Sequence, residues 1–229
     1  MSHCCHTNHS FHCISVVPIF SHLTAEEMAE IAAITVERPT ERGTYIYRAD
    51  EYKQEMYVLH TGTVKIFRLT GDGKEQVLRT VGPGEFFGEL ALFGGRQHSD
   101  YAVAMEAVTM CVIQMQPLRE LMKRIPSIAF KVMEELSTRL EETERRLEEN
   151  TLLSAEERLA RYLLEKTEDL SSFSLPLSKG DLASLLGMSQ ETLSRHLSAW
   201  QQRSIIALEG QRTIHVTDRK TLVRIADRF

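Results

Sequence analysis

The 229-residue sequence predicts an α+β protein: an N-terminal antiparallel β-roll, a long connecting helix and a C-terminal winged helix-turn-helix. Three observations predict it. Nine of the twelve glycines fall between Gly43 and Gly95, punctuating short β-rich runs. A narrow apolar seam of helical period runs from Met133 to Asn150. Two short helical patterns around Gly187, followed by two short β-runs, close the chain.

The length suits two compact domains rather than one small core. The element pattern divides the chain into a Cys/His-rich tail (1–22), a β-roll domain (23–116), a dimerisation helix (117–152) and a winged-helix domain (153–229). Hydrophobic residues at 42% and charged residues at 26% are ordinary for a soluble globular protein. The formal charge of −5 argues against a protein that coats nucleic acid through bulk positive charge. From Ser171 to Phe229 there are eight Lys/Arg against five Asp/Glu, so this segment carries +3 and the remainder −8. A DNA-facing surface is therefore expected at the C-terminal end. No apolar run reaches the roughly 18 residues that span a bilayer, and residues 1–11 lack a secretory pattern. A cytoplasmic location with no membrane partner is the expectation. In a reducing compartment the four cysteines need a packing, metal or redox explanation.

Along the chain, Thr24-Ala-Glu-Glu27 is a capping box opening a short helix, with Met28, Ile31 and Ile34 on its apolar face. From Val36 to Gln116 short strands dominate, among them Glu55 to Leu59 and Thr63 to Phe67, and Gly71-Asp-Gly73 signals a hairpin. Strands at such spacing suit a small barrel or jelly roll. After Pro117 the period is helical to about Asn150. Met133, Leu136, Leu140, Thr143, Leu147 and Asn150 follow the 3-4 spacing of a coiled-coil seam. Glu141, Glu142, Arg145, Arg146, Glu148 and Glu149 flank it, which fits pairing between two copies better than packing within one. A homodimer is expected. Ser154-Ala-Glu-Glu157 caps a further helix, with Leu159, Tyr162, Leu163 and Leu164 inward, ending at a polar turn near Ser171.

Leu177 to Trp200 has the layout of a helix-turn-helix. Ser178 and Asp181 cap a short helix with Leu182, Leu185 and Leu186 on its core face, and Gly187 supplies a left-handed turn residue. Ser189 is the natural N-cap of a second helix whose Leu193, Leu197 and Trp200 point inward. That leaves Ser189, Gln190, Glu191, Ser194 and Arg195 at the exposed start, the end a recognition helix presents to base edges. Arginine can contact guanine O6 and N7 together, and glutamate can accept from cytosine N4. Glu191 and Arg195 are also spaced to pair with each other. Ile205 to Val216 reads as two strands around Glu209-Gly210, the wing. Double-stranded DNA is the expected partner.

By these residues the chain resembles the CRP/FNR family of bacterial regulators, from about Val17 to the C-terminus. Gly82-Pro-Gly-Glu-Phe-Phe-Gly-Glu-Leu-Ala-Leu-Phe93 matches the family's roll motif, and Glu191-x-x-Ser194-Arg195 is similar to the recognition helix of the FNR branch. The resemblance implies a cyclic-nucleotide-binding-like jelly roll as the sensory domain and an inverted repeat of TTGA-type half-sites. It also implies RNA polymerase as a further partner. In cAMP-binding relatives a Gly-Glu-Leu turn holds ribose, an Arg-Ser pair holds phosphate, and Thr and Ser of the dimer helices meet adenine. The corresponding effector residues here are Gly88, Glu89, Leu90, Ser99 and Thr143, but His98 stands at the arginine position and Glu144 at the serine. A phosphodiester thereby loses its permanently charged partner.

The same resemblance implies a [4Fe-4S] cluster held by Cys4, Cys5, Cys13 and Cys111. The adjacent Cys4-Cys5 departs from the separated pair of that branch. Cys13-Ile-Ser-Val-Val-Pro-Ile-Phe20 instead resembles FNR-like proteins of Gram-positive bacteria, for which a disulfide switch is the alternative. A stretch of eight to ten residues extends roughly 30 Å, so Cys4 or Cys5 can reach Cys111. His3, Cys4, Cys5, His6, His9, His12 and Cys13 are also suitable zinc donors at irregular spacing. A tail whose His and Cys bind nothing is the third reading. Catalysis is not expected: a metal oxygenase roll needs closely spaced histidines, and the roll has only His60 and His98.

Overall fold

A computed structural model describes residues 20, 23–167, 172–175, 177–210 and 213–227. The chain forms two compact units, one of residues up to 74 with 78–139, the other of residues 75–77 with 140–229. Among the described residues no helix is long and apolar enough to cross a membrane.

In the first unit, α1 (Ala25–Ala33) begins at the expected capping box, with Thr24 Oγ1 accepting from the Glu27 N–H and Glu27 reaching back to the Thr24 N–H. Eight antiparallel strands follow, all of this unit apart from the first three residues of β5: β1 (Thr35–Thr40), β2 (Tyr45–Tyr47), β3 (Glu55–Thr61), β4 (Val64–Leu69), β5 (Glu75–Val81), β6 (Phe86–Phe87), β7 (Tyr101–Ala104) and β8 (Val108–Gln114). They form two four-stranded sheets, ordered β1-β8-β3-β6 and β2-β7-β4-β5. The expected jelly roll is present. Side-chain alternation explains the apolar runs of β3 and β8. Tyr57, Leu59, Met110 and Val112 point into the core between the sheets. Met56, Val58, Cys111 and Ile113 point the other way, into a second core with Phe20, Met28 and Ile31. The Gly71–Gly73 segment turns β4 into β5, with Gly73 at φ +80° and the Thr70 N–H donating to the Lys74 carbonyl at 2.9 Å.

The helical stretch after Pro117 is two helices, α3 (Met115–Arg124) and α4 (Pro126–Leu152). The break lies at Pro126, which removes a helical donor and pushes its predecessor out of the helical region; Ile125 sits at φ −124°, ψ 78°. A short helix, α2 (Glu89–Gly94), takes up the end of the Gly82–Phe93 motif, after β6.

The second unit contains α5 (Ala155–Lys166), capped by the Ser154–Glu157 box. Ser172, read as part of a polar turn, opens β9 (Ser172–Ser174), which pairs with the second wing strand. Only three residues long, β9 carries too little alternation to be recognised alone. Then come α6 (Lys179–Leu185), α7 (Gln190–Gln202), the wing strands β10 (Ile206–Glu209) and β11 (Thr213–Val216), and α8 (Arg219–Ala226). Their core gathers Leu159, Leu163, Leu182, Leu193, Leu197 and Trp200. The Trp200 indole N–H, which needs a partner when buried, donates to Glu156 Oε1 at 3.0 Å.

Candidate functional site

The helix-turn-helix is built from its caps inward. Ser178 Oγ accepts from the Asp181 N–H at 3.1 Å, starting α6. Gly187 follows at φ +62°, the left-handed backbone that ends a helix without strain only at glycine. A Cβ there would also meet Asn150 Oδ1 at 3.0 Å. Asn150, expected in the dimer seam, thus has its amide beside the turn. Ser189 Oγ accepts from the Thr192 N–H at 3.1 Å and fixes the first turn of α7. With Leu193, Leu197 and Trp200 buried, the opposite face of α7 is left to solvent. Ser189, Gln190, Glu191 and Arg195 are exposed and Ser194 is half-buried. The structure brings these five residues together at the start of one helix. No ion pair joins Glu191 to Arg195 among the described residues: water screens so exposed a pair, and ordering two long side chains opposes it. Both side chains remain available to another partner.

A residue that the sequence pattern does not reveal holds this motif. Arg158 of α5 donates from Nε to the Leu186 carbonyl at 2.9 Å, from Nη1 to the Leu153 carbonyl at 2.6 Å and from Nη2 to the Gly187 carbonyl at 3.2 Å. Helix ends leave such carbonyls without intrahelical partners. One guanidinium supplies three of them.

In the roll, the anticipated effector residues have different surroundings. Gly88, at φ +87°, lets the chain pass so close to β3 that a Cβ would lie 2.6 Å from the Glu55 carbonyl oxygen. Glu89 is buried and its Oε1 faces two guanidiniums, Arg79 Nη2 at 3.6 Å and Arg139 Nη1 at 3.4 Å. Arg139 lies over the Phe86 ring at 4.0 Å and also pairs with Glu135 at 3.1 Å. Leu90 is 65% exposed. Ser99 is on the surface, accepting from Arg68 Nη2 at 2.9 Å. Thr143 is exposed on the part of α4 that belongs to the other unit.

His98 points inward and is 4% exposed, its ring stacked on Tyr47 with centroids 3.7 Å apart and planes 14° from parallel. Its backbone is tied at both ends, the Asp50 N–H donating to the His98 carbonyl at 2.9 Å and the His98 N–H to the Glu51 carbonyl at 3.0 Å. The Tyr47 hydroxyl donates to Asp100, a carboxylate only 7% exposed. Burial raises the Asp100 carboxyl above its usual range, against the lowering effects of the Tyr47 hydrogen bond, His98 and Arg68. Burial likewise pushes the His98 imidazole below its ordinary value, although Asp100, a backbone hydrogen bond at Lys53 and the charge of Glu51 pull it upward.

A titration tests this environment. The unfolded chain takes up the His98 proton before the folded chain does, so folded stability falls as pH drops through about 6.5 toward the depressed folded value. Asp100 has the opposite sign, favouring the folded state at low pH. The melting temperature of wild type minus that of His98→Gln is expected to fall between pH 7.5 and 5.5, because titrations not coupled to His98 cancel in the difference. A difference that rises on acidification would show that His98 is charged in the fold.

Of the four cysteines, Cys111 alone lies among the described residues, wholly buried in β8 between Met110 and Val112. Cys4, Cys5 and Cys13, with His3, His6, His9 and His12, fall outside them.

Comparison with known proteins places both units. Residues 37–125 match the cyclic nucleotide-binding domain and residues 157–225 the Crp-like helix-turn-helix domain. The chain is 30% identical over 201 residues to the probable transcriptional regulator flp of Lacticaseibacillus casei, spanning 87% of this chain and 91% of that one. It is also 30% identical over 209 residues to the cyclic AMP receptor protein of Thermus thermophilus, spanning 91% and 96%. Among solved structures, FixK2 from Bradyrhizobium japonicum is similar with a TM-score of 0.77 at 26% identity, over 86% of this chain and 99% of that one.

Proposed function

The chain belongs to the CRP/FNR family of DNA-binding transcription regulators, and from that premise we propose that it acts as a homodimer on inverted TTGA-type half-sites under redox or oxygen control. The observation that carries the DNA reading is the row of Gln190, Glu191 and Arg195, exposed on the first turns of α7 while the opposite face is buried. Ser189 and Ser194 flank that row and suit phosphate or base contacts. Residues 153–229 would form the DNA-binding domain, 117–152 the dimerisation helix, 23–116 the sensory roll and 1–22 the signal-receiving tail. RNA polymerase is the proposed further partner.

Binding to a duplex carrying two TTGA-type half-sites tests this. Arg195→Ala is expected to cost about 1–3 kcal/mol per half-site and to relax the preference for the half-site sequence. Arg224→Ala, on the exposed face of α8, should leave the sequence preference intact. Equal losses from both would reduce the interaction to charge attraction.

The signal is assigned to Cys4, Cys5, Cys13 and Cys111. Supporting this, Phe20 shares the buried core of Cys111. A [4Fe-4S] cluster on four thiolates would supply oxygen-sensitive redox chemistry; its ligation through Cys111 requires the tail to enter an apolar core. A second reading, zinc held by the tail, rests on its density of His and Cys. Anaerobically purified protein containing matched iron and sulfide, with duplex affinity that changes on exposure to air, is the expected result. Colourless, metal-free protein whose affinity ignores both oxidant and reductant would overturn the redox assignment.

A further inference from the structure

A roll that matches the cyclic nucleotide-binding domain, in a chain 30% identical to a cyclic AMP receptor protein, invites the assumption that it binds such a nucleotide. Its interior does not fit one. We propose that this roll rejects cyclic nucleotides, and that the inward-stacked His98 and the buried carboxylate of Asp100 are the residues that decide it.

A cyclic nucleotide is a phosphodiester monoanion, and entering a roll strips water from its phosphate. Unless a cation or several donors replace that water, burial is unfavourable. The guanidiniums beside Glu89 are already matched. Arg79 and Arg139 both face Glu89 Oε1, and Arg139 also pairs with Glu135. Two guanidiniums therefore meet two carboxylates, and the group is neutral as it stands. Lys53 pairs with Glu51 at 2.8 Å and donates to the Ile46 carbonyl at 3.2 Å.

The side chain next to Ser99 that could have been a fixed cation is His98, and it is unsuited to the task twice over. Its ring lies flat on Tyr47 with Nε2 buried and without a hydrogen-bond partner, and the same burial favours the neutral form. Its backbone hydrogen bonds to the 50–51 turn hold that loop in place. Two residues on, Asp100 adds a buried carboxylate that takes the Tyr47 hydroxyl as its donor. The buried charge of Glu89 acts on the same phenol in the same direction as Asp100. An incoming anion would meet like charge and find the Tyr47 hydroxyl engaged. Arg68, donating to Ser99, is outside on the exposed end of β4, where water screens its charge.

The inference rests on the roll with Glu135 and Arg139 of α4 and is independent of the cysteine assignment. The test uses the full-length protein with 3′,5′-cyclic AMP as the probe, followed by calorimetry and thermal unfolding at pH 7.5. Wild type is expected to show no binding heat and no rise in melting temperature at about 1 mM nucleotide, which excludes Kd values much below ~1 mM. The double variant His98→Arg, Asp100→Asn supplies a permanent cation and removes the carboxylate while keeping an acceptor for Tyr47. It is expected to bind at least tenfold more tightly than the wild-type limit. Asp100→Asn alone is the near-isosteric control, and its circular dichroism must match wild type. Saturable binding by the wild type would overturn the proposal. So would a folded double variant that gains no affinity, because rejection would then lie with other residues. Duplex binding by the same samples, lost only in Arg195→Ala, keeps failure of this inference distinct from failure of the DNA reading.

Discussion

Arg158→Ala is expected to lower the stability of the winged-helix unit by about 3 kcal/mol and to abolish duplex binding at assay temperatures. The three carbonyls it serves belong to Leu153, Leu186 and Gly187. The latter two form the turn between α6 and α7, where the backbone has left the helix and has no ladder of its own. A hydrogen bond from a charged donor contributes about 1.5–3 kcal/mol, and an acceptor left buried costs a further share of its desolvation. The three bonds share one side chain and part of the site is solvated, so their sum is discounted to about 3 kcal/mol. For a unit of this size that lowers the melting temperature by roughly 10–20 °C. Arg158→Lys should recover only part of it, since a single ammonium cannot present a planar fork to carbonyls on two segments. Thermal unfolding followed by circular dichroism, with duplex binding measured on the same samples, checks both. A melting temperature within about 2 °C of wild type would show that water replaces the guanidinium without loss.

Arg158 also shows where the sequence ceases to be legible. Caps and turns could be read directly, because Thr24, Ser154, Ser178, Ser189 and Gly187 act on backbone within a few residues of themselves. The jelly roll was readable from glycine spacing, and the recognition helix from the spacing of Leu193, Leu197 and Trp200. Arg158, by contrast, acts on carbonyls up to 29 positions away. On its own helix it looks like any solvated cation beside Glu156 and Glu157. Asp100 was hidden for a related reason: an aspartate next to a serine in a polar loop resembles a turn residue until the roll closes over it. Arg79 and Arg139 lie 60 positions apart and meet at Glu89. Long-range polar contacts leave no periodicity, so no window of sequence reveals them.

The seam of α4 was readable, yet its consequence depends on a partner absent from a single chain. Phe130, Met133, Leu140 and Leu147 are 68%, 51%, 59% and 68% exposed, at spacings of three, seven and seven residues. A stripe of that period on one helix has no use for a monomer, whose apolar side chains are better placed in its own core. Leu140→Glu combined with Leu147→Glu is accordingly expected to yield a monomer. Burying a leucine contributes about 1.5–3 kcal/mol, so the four leucines of a dimer represent roughly 6–12 kcal/mol. Glutamates facing one another across the seam add like-charge repulsion. Since both positions are exposed in the single chain, the fold of each unit should survive, with circular dichroism unchanged. Duplex affinity should fall by about 10²–10⁴, because the second half-site contact ceases to be intramolecular once the protomers separate. The wild-type melting temperature should rise with protein concentration and that of the variant should not, since dimerisation stabilises by mass action. Leu140→Met with Leu147→Met, which keeps the apolar volume, should remain dimeric and bind DNA. Light scattering across a concentration series separates these outcomes: a glutamate variant that remained dimeric would move the interface off this seam, and one that became monomeric while retaining full duplex affinity would detach DNA recognition from dimerisation.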